Sequence, residues 1–216
     1  MSAWAEFINQ VLQSSIWEWI AVITSVLYVI FAARKMIICW LFAIITSGLY
    51  IYICFSYNLY LETILQVFYL IMGVVGWVLW NNKTSGKPTQ KSEDLLDDFP
   101  TINKKGEITR WRVTTHVINI VISGVLTLLL GMAFSDYTDQ ENPFIDAFTT
   151  VFSLVATYMV IKKVLENWLY WIFIDAVSIY LYADRGLYLS AVLFAFFTVL
   201  AVIGYISWRR KYQSQL

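Results

Sequence analysis

Residues 167 to 175, Asn-Trp-Leu-Tyr-Trp-Ile-Phe-Ile-Asp, set two indoles, an amide and a carboxylate inside an apolar run. At helical spacing Trp168, Trp171 and Asp175 stand at i, i+3 and i+7 and share one face, with Asn167 at its edge. Such a face can stack a flat ring and hydrogen-bond a polar group beside it. Tryptophans alone fill helix interfaces more often than they bind ligands. The carboxylate shifts that balance. Near a bilayer centre it costs about 2.5–3.5 kcal/mol on insertion scales, so by default it marks a site.

A second stripe lies a hundred residues earlier. Gln66, Tyr69, Gly73 and Trp80 follow i, i+3, i+7 and i+14, with Glu62 one turn above. Gly73 and Gly76 would let a neighbouring helix approach closely. Counted by helical rise, Tyr69 and Asp175 fall near mid-depth of their helices, with Gln66 slightly further outward. The two stripes are expected to face each other across one cavity.

The elements that must hold these stripes are membrane helices. Of 216 residues 59% are hydrophobic and 14% charged, and the mean hydropathy is +0.64. A soluble domain of this length could not hide so much apolar surface. The net charge is zero, which leaves no basic face for nucleic acid. Cys39 and Cys54 are separated along one helix by roughly 22 Å of rise, too far for a mutual disulfide. One His and two Cys supply no metal cluster, and no GxxxxGK[ST] loop is present. No cofactor is expected.

Apolar runs predict seven spans, at 16–33, 36–55, 59–80, 113–134, 144–161, 164–183 and 186–207. Residues 1–15 lack a basic n-region, and Trp4, Phe7, Ile8, Val11 and Leu12 predict an amphipathic interfacial helix. Fourteen of the fifteen Lys and Arg residues fall in segments on one side, Arg185 alone lying opposite. The positive-inside rule then puts the N-terminus outside and the C-terminal tail, 209–216, in the cytoplasm. The polar 81–112 stretch, with Gly86, Pro88 and an acidic patch from Glu93 to Asp98, reads as a solvated cytoplasmic linker.

Sliding the chain by 128 positions lays 16–80 on 144–208 without a gap, with 15 identities in 65 positions. Trp40-Leu41 meet Trp168-Leu169, and Gly76 and Trp80 meet Gly204 and Trp208. Each unit holds three spans, and the extra span 113–134 restores a common orientation to the second. The expected fold is therefore an all-α integral membrane protein of 3+1+3 parallel repeats, the arrangement of SWEET transporters, which bind near the midplane at the repeat interface. The repeat breaks where chemistry is concentrated: Asn167 replaces Cys39, Trp171 replaces Ala43, Asp175 replaces Ser47 and Gln66 stands opposite Phe194. An asymmetric ligand between the halves explains that pattern better than packing does.

The motifs carry a family likeness. Leu65-Gln66-Val67-Phe68-Tyr69 followed by Gly76-Trp77-Val78-Leu79-Trp80 resembles the LQxFY…GWxxW pattern of the PnuC nicotinamide riboside transporters. Glu166-Asn167-Trp168-Leu169-Tyr170-Trp171 and Asp175 resemble that family's NWxxW…[ND] stretch, and Gly204 to Arg210 fits its ending. The likeness covers roughly 16–210, with one departure: the family often has Asn where this chain has Asp175. It implies a homotrimeric facilitator of the bacterial inner membrane, with nicotinamide riboside as substrate. The positions matching the family's substrate motifs are Gln66, Asn167, Trp168, Trp171 and Asp175, with Trp40 and Tyr69 as further candidates.

That substrate suits the residues. Indole faces attract a flat pyridinium, by about 2 kcal/mol when desolvated. Gln66 or Asn167 offers donor and acceptor to a carboxamide, and an ionised Asp175 accepts from ribose hydroxyls or balances the positive charge. No chain of buried carboxylates suggests a proton relay, so facilitated diffusion by alternating access is expected. The alternatives are a same-fold transporter for thiamine, riboflavin or a deoxynucleoside, a SWEET-type sugar facilitator, and a seven-helix receptor. The last fits poorly, since 186–207 has no lysine for a retinal Schiff base and receptors carry no such repeat. An intramembrane enzyme has only His116 to rest on, and that side chain with Asn119 suits a helix-to-helix hydrogen bond better.

Overall fold

The computed structural model describes residues 3–13, 15–56, 60–82, 107–137, 142–184, 186 and 188–215. Within them the chain forms eight helices: α1 (Ala3–Gln13), α2 (Ile16–Ala33), α3 (Cys39–Ser56), α4 (Tyr60–Asn82), α5 (Val113–Tyr137), α6 (Pro143–Ile161), α7 (Asn167–Asp184) and α8 (Tyr188–Gln213). The linker's acidic patch, Arg185 and the Cys54 and Glu62 side chains lie outside the described residues.

Local chemistry sets the ends. Ser15 opens α2 with a reciprocal cap: its Oγ accepts from the Glu18 N–H at 3.2 Å, and its own N–H donates to Glu18 Oε2 at 3.2 Å. Pro143 begins α6, where its missing N–H has no partner to lose. α2 ends where Lys35 turns left-handed (φ 59°); Lys35 N–H donates to Ala32 O at 2.9 Å and Met36 N–H to Phe31 O at 3.0 Å. This is a Schellman turn built on a lysine in place of the usual glycine. The same turn closes α6: Lys163 (φ 56°) donates to Val160 O at 3.0 Å and Val164 to Met159 O at 2.9 Å.

These turns consume residues 34–38 and 162–166, so α3 and α7 each begin three residues later than the apolar runs suggest. α8 runs past Trp208 through Arg209, Arg210 and Lys211, which propagate a helix well and complement its C-terminal dipole. Five helices are long and apolar enough to cross a membrane: α2, α4, α5, α6 and α8. Of the other two expected spans, α3 is apolar over the shorter Cys39–Ile53, and α7 is diluted by Asn167, Asp175, Asp184 and three tyrosines. Asn167 and Asp175 are among the site candidates, so those candidates themselves lower the apolarity of the helix that carries them.

Among the described residues α2, α3, α4, α6, α7 and α8 close a ring in that order, each packing on the next and α8 returning to α2. α5 packs outside the ring on α6, and α1 lies against α8 with Ile8 and Leu12 exposed. The linker expectation needs a partial correction. Residues 107–112 are docked rather than solvated: Thr109 N–H donates to Lys163 O (3.0 Å), Leu165 N–H to Thr109 O (2.8 Å), and Ile108 is buried. Apolar Ile108 is held there by the Gln215 amide, which bonds its N–H and its carbonyl, both at 3.1 Å.

Candidate ligand-binding site

The end of the ring that carries the lysine turns is braced by four indoles. Trp168, on the first turn of α7, lies over Gly204 of α8, where an added Cβ would fall 2.7 Å from the ring. It meets Trp208 edge-on at 5.5 Å. Trp40 lies over Gly76 in the same way, with a Cβ distance of 2.5 Å, and meets Trp80 edge-on at 5.4 Å. Both edge-to-face pairs suit the indole quadrupole. Each outer indole then crosses to the opposite triplet: Trp80 Nε1–H donates to Ile161 O at 3.2 Å, and Trp208 Nε1–H to Ala32 O at 3.1 Å. Trp40 and Trp168 are therefore core residues, 1% and 3% exposed. Trp168 is packed more tightly than an open stacking platform would be, because Gly204 covers one of its faces.

Three polar atoms in this core have no hydrogen-bond partner among the described residues. They are the indole Nε1 of Trp40, that of Trp168, and Asn167 Oδ1. Asn167 is fully buried; its amide nitrogen donates to Val164 O at 2.6 Å, which leaves the carbonyl oxygen to accept. An unmade hydrogen bond of this kind costs about 1–3 kcal/mol per group, so the three atoms call for water or a ligand to meet them. Trp171, half-buried at the margin of the same core, is the indole with no counterpart in the first triplet.

Two turns along α7, Asp175 is 3% exposed and makes no ion pair among the described residues. Tyr69 of α4 has Ser153 of α6 within hydrogen-bond reach of its hydroxyl, and it feels Tyr182 and Asp175 of α7 electrostatically at longer range. Tyr28 of α2 approaches Tyr69 and Cys39 and sits 6.3 Å from the Trp40 ring. Among the described residues α4 and α7 do not pack on each other; α6 packs on both, so the two stripes are joined through α6 rather than directly. Gln66 is half-buried one turn from Tyr69 on the same helix. Sequence reasoning missed Tyr28, Ser153 and Tyr182. Only Ser153 left a trace, as the identity of Ser25 and Ser153 in the repeat.

His116 makes the helix-to-helix bond expected of it, 3.1 Å from Nδ1 to the Tyr170 hydroxyl. Glu166 also has a role the sequence does not reveal. Its Oε1 accepts from Arg110 Nε at 2.6 Å, and its Oε2 accepts from the Trp111 N–H at 3.4 Å and stands 3.9 Å from His116 Nε2.

Long apolar helices ringed around a polar, partly unsatisfied interior define a polytopic membrane protein. Its relatives narrow the class. Residues 15–210 match the family described as nicotinamide mononucleotide transporter, and the chain belongs to that family of membrane transporters. It is 25% identical over 203 residues to the nicotinamide riboside transporter PnuC of Escherichia coli, covering 88% of this chain and 84% of that protein. Against PnuC of Neisseria mucosa it is 24% identical over 199 residues, covering 88% and 71%. The crystal structure of the vitamin B3 transporter PnuC superposes with a TM-score of 0.69 at 21% identity, over 98% of this chain and 88% of that one, and shows that the fold is shared.

Proposed function

We propose that this protein carries nicotinamide riboside across the bacterial inner membrane by facilitated diffusion, alternating access to one site between two like-oriented helix triplets. The observation that carries the reading is Asp175, buried at 3% exposure on α7 and without an ion-pair partner among the described residues. When ionised, a carboxylate so placed is stabilised by a positive partner, and a pyridinium supplies one. Trp171 offers an indole face to that ring, Trp168 and Trp40 offer N–H donors, and Asn167 Oδ1 or Gln66 takes the carboxamide.

The family description names the mononucleotide, whereas the named relatives are riboside transporters. The two ligands differ by a phosphate. Among the described residues the buried charged side chains are Lys163, Glu166 and Asp175, and of these only Asp175 lies among the interior site candidates. A phosphate dianion beside Asp175 would meet repulsion in a low dielectric, so the riboside fits and the mononucleotide does not.

Seven spans in a 3+1+3, SWEET-like arrangement follow from the same reading. It is supported by α3 and α7 starting at Cys39 and Asn167, by the paired lysine turns and by the exchanged tryptophan bonds, all at or near a spacing of 128. The charge distribution supports an external N-terminus and a cytoplasmic C-terminus. The exposed apolar face of α5 suits lipid or a neighbouring protomer of a homotrimer. Calorimetry of the purified chain against nicotinamide riboside, the mononucleotide, nicotinamide, thiamine, riboflavin and deoxynucleosides tests the substrate. Binding of the riboside alone is expected. Preference for the mononucleotide or another vitamin would refute the assignment, and uptake into proteoliposomes that collapses with a proton or sodium gradient would refute facilitated diffusion.

A further inference from the structure

The two triplets hold their inner indoles alike but enter the site-bearing helices differently. Before α3 the residue corresponding to Glu166 is Ile38, an exposed apolar side chain. Before α7 it is Glu166, 7% exposed, the residue immediately ahead of Asn167 and Trp168. Its backbone carbonyl accepts the first-turn bonds of α7 from Leu169 N–H at 3.0 Å and Tyr170 N–H at 3.3 Å. Its carboxylate turns outward onto Arg110 Nε and the Trp111 N–H. The strap 107–112 is itself fixed on both flanks, by the bonds of Thr109 to Lys163 and Leu165 and by the Gln215 clamp on Ile108. His116 Nε2 on α5 stands 3.9 Å from Glu166 Oε2, and its other ring nitrogen meets Tyr170 on α7.

We propose that Glu166, locked by Arg110 of the docked strap, is a positioning residue that fixes the first turn of α7 and so aims Asn167 and Trp168 at the substrate. The proposal rests on the assignment of those two residues to the substrate site. A carboxylate at a helix N-terminus is well placed electrostatically without any partner. The 2.6 Å bond to an arginine on a separately anchored strap adds something else, a fixed direction for the chain entering the helix. The hydrogen bond and charge of Glu166 push the Arg110 guanidinium further above its already high range, so the arginine stays charged. Among the described residues no such strap docks at the start of α3, which begins with Cys39 where α7 begins with Asn167.

The test uses the full chain in detergent, with nicotinamide riboside binding read by calorimetry and uptake read in proteoliposomes. Glu166→Gln and Arg110→Ala are each expected to raise Kd about tenfold, and Arg110→Lys, which keeps the charge but not the planar fork, about threefold. KM should rise while the rate at saturating substrate holds, whereas a smaller folded fraction would lower the rate and leave KM alone. In an Asn167→Ala background Glu166→Gln should change Kd by no more than about twofold, since the residue it aims is gone. Arg110, on the exposed side of the pair, carries the same test where Glu166→Gln fails to fold. An unchanged Kd for Arg110→Ala, or the same loss for Glu166→Gln with and without Asn167, overturns the proposal. An unchanged Kd for Asn167→Ala alone instead overturns the substrate-site reading, and the proposal with it.

Discussion

At their basic ends the two triplets are near copies, and one turn further in they part company. Trp40 on Gly76 beside Trp80 is matched by Trp168 on Gly204 beside Trp208, and each outer indole bonds a carbonyl at the end of the opposite triplet's first helix. Along the inner faces Cys39, Ala43 and Ser47 on α3 stand against Asn167, Trp171 and Asp175 on α7. The symmetric layer is what two halves need to stay joined while they move. The asymmetric layer is where a ligand without symmetry would be read. Substitutions at matched positions therefore separate packing from recognition: equal effects indicate the frame, unequal effects the site.

The largest inequality is expected at Asp175 and Ser47, which are 3% and 4% exposed. Removing the carboxylate leaves a bound pyridinium without its counter-charge, so Asp175→Ala should weaken riboside binding about 100-fold, or about 2.7 kcal/mol. Ser47→Ala should stay within about twofold, because it removes a hydroxyl and no charge. Calorimetry on both variants decides the matter. Equal small losses would mean that Asp175 serves the frame.

The glycines should behave in the opposite way. A Cβ at Gly76 would lie 2.5 Å from the Trp40 ring, and one at Gly204 would lie 2.7 Å from the Trp168 ring. Gly76→Ala and Gly204→Ala should each destabilise the fold by about 1–3 kcal/mol through overpacking. Thermal unfolding in detergent should show similar losses for the two. A loss confined to Gly204 would mean that the second triplet alone bears the load and that the frame is less symmetric than its geometry.

Much of this was legible in the sequence because it is local or periodic. The start of α2 is written in Ser15 and Glu18, and the α7 face in the spacing of Trp168, Trp171 and Asp175. The matched indoles show as identities at a fixed offset. What stayed hidden depends on chain reversals. The bond from Trp208 to Ala32 spans 176 residues and that from Arg110 to Glu166 spans 56, and no pattern in either stretch announces its partner. Lys35 and Lys163 are a subtler case: lysine at a left-handed position is not a turn signal, and only the paired bonds identify the Schellman turns.

Those two lysines give the smallest and sharpest comparison. Both hold a positive φ that glycine adopts without a steric cost, so replacing either with glycine should gain up to about 1 kcal/mol from the backbone. The side chains differ. The Lys163 ammonium stands 4.4 Å over the Trp80 ring, a cation–π contact worth about 0.5–2 kcal/mol, and its buried stem packs in the braced layer. Lys35 is half-buried, and burial beside Lys211 lowers its pKa, so loss of its charge relieves rather than removes an interaction. Lys35→Gly should therefore raise the melting temperature, and Lys163→Gly should leave it unchanged or lower it. The same gain at both positions would show that the cation over Trp80 contributes nothing, and the brace would then rest on the indoles alone.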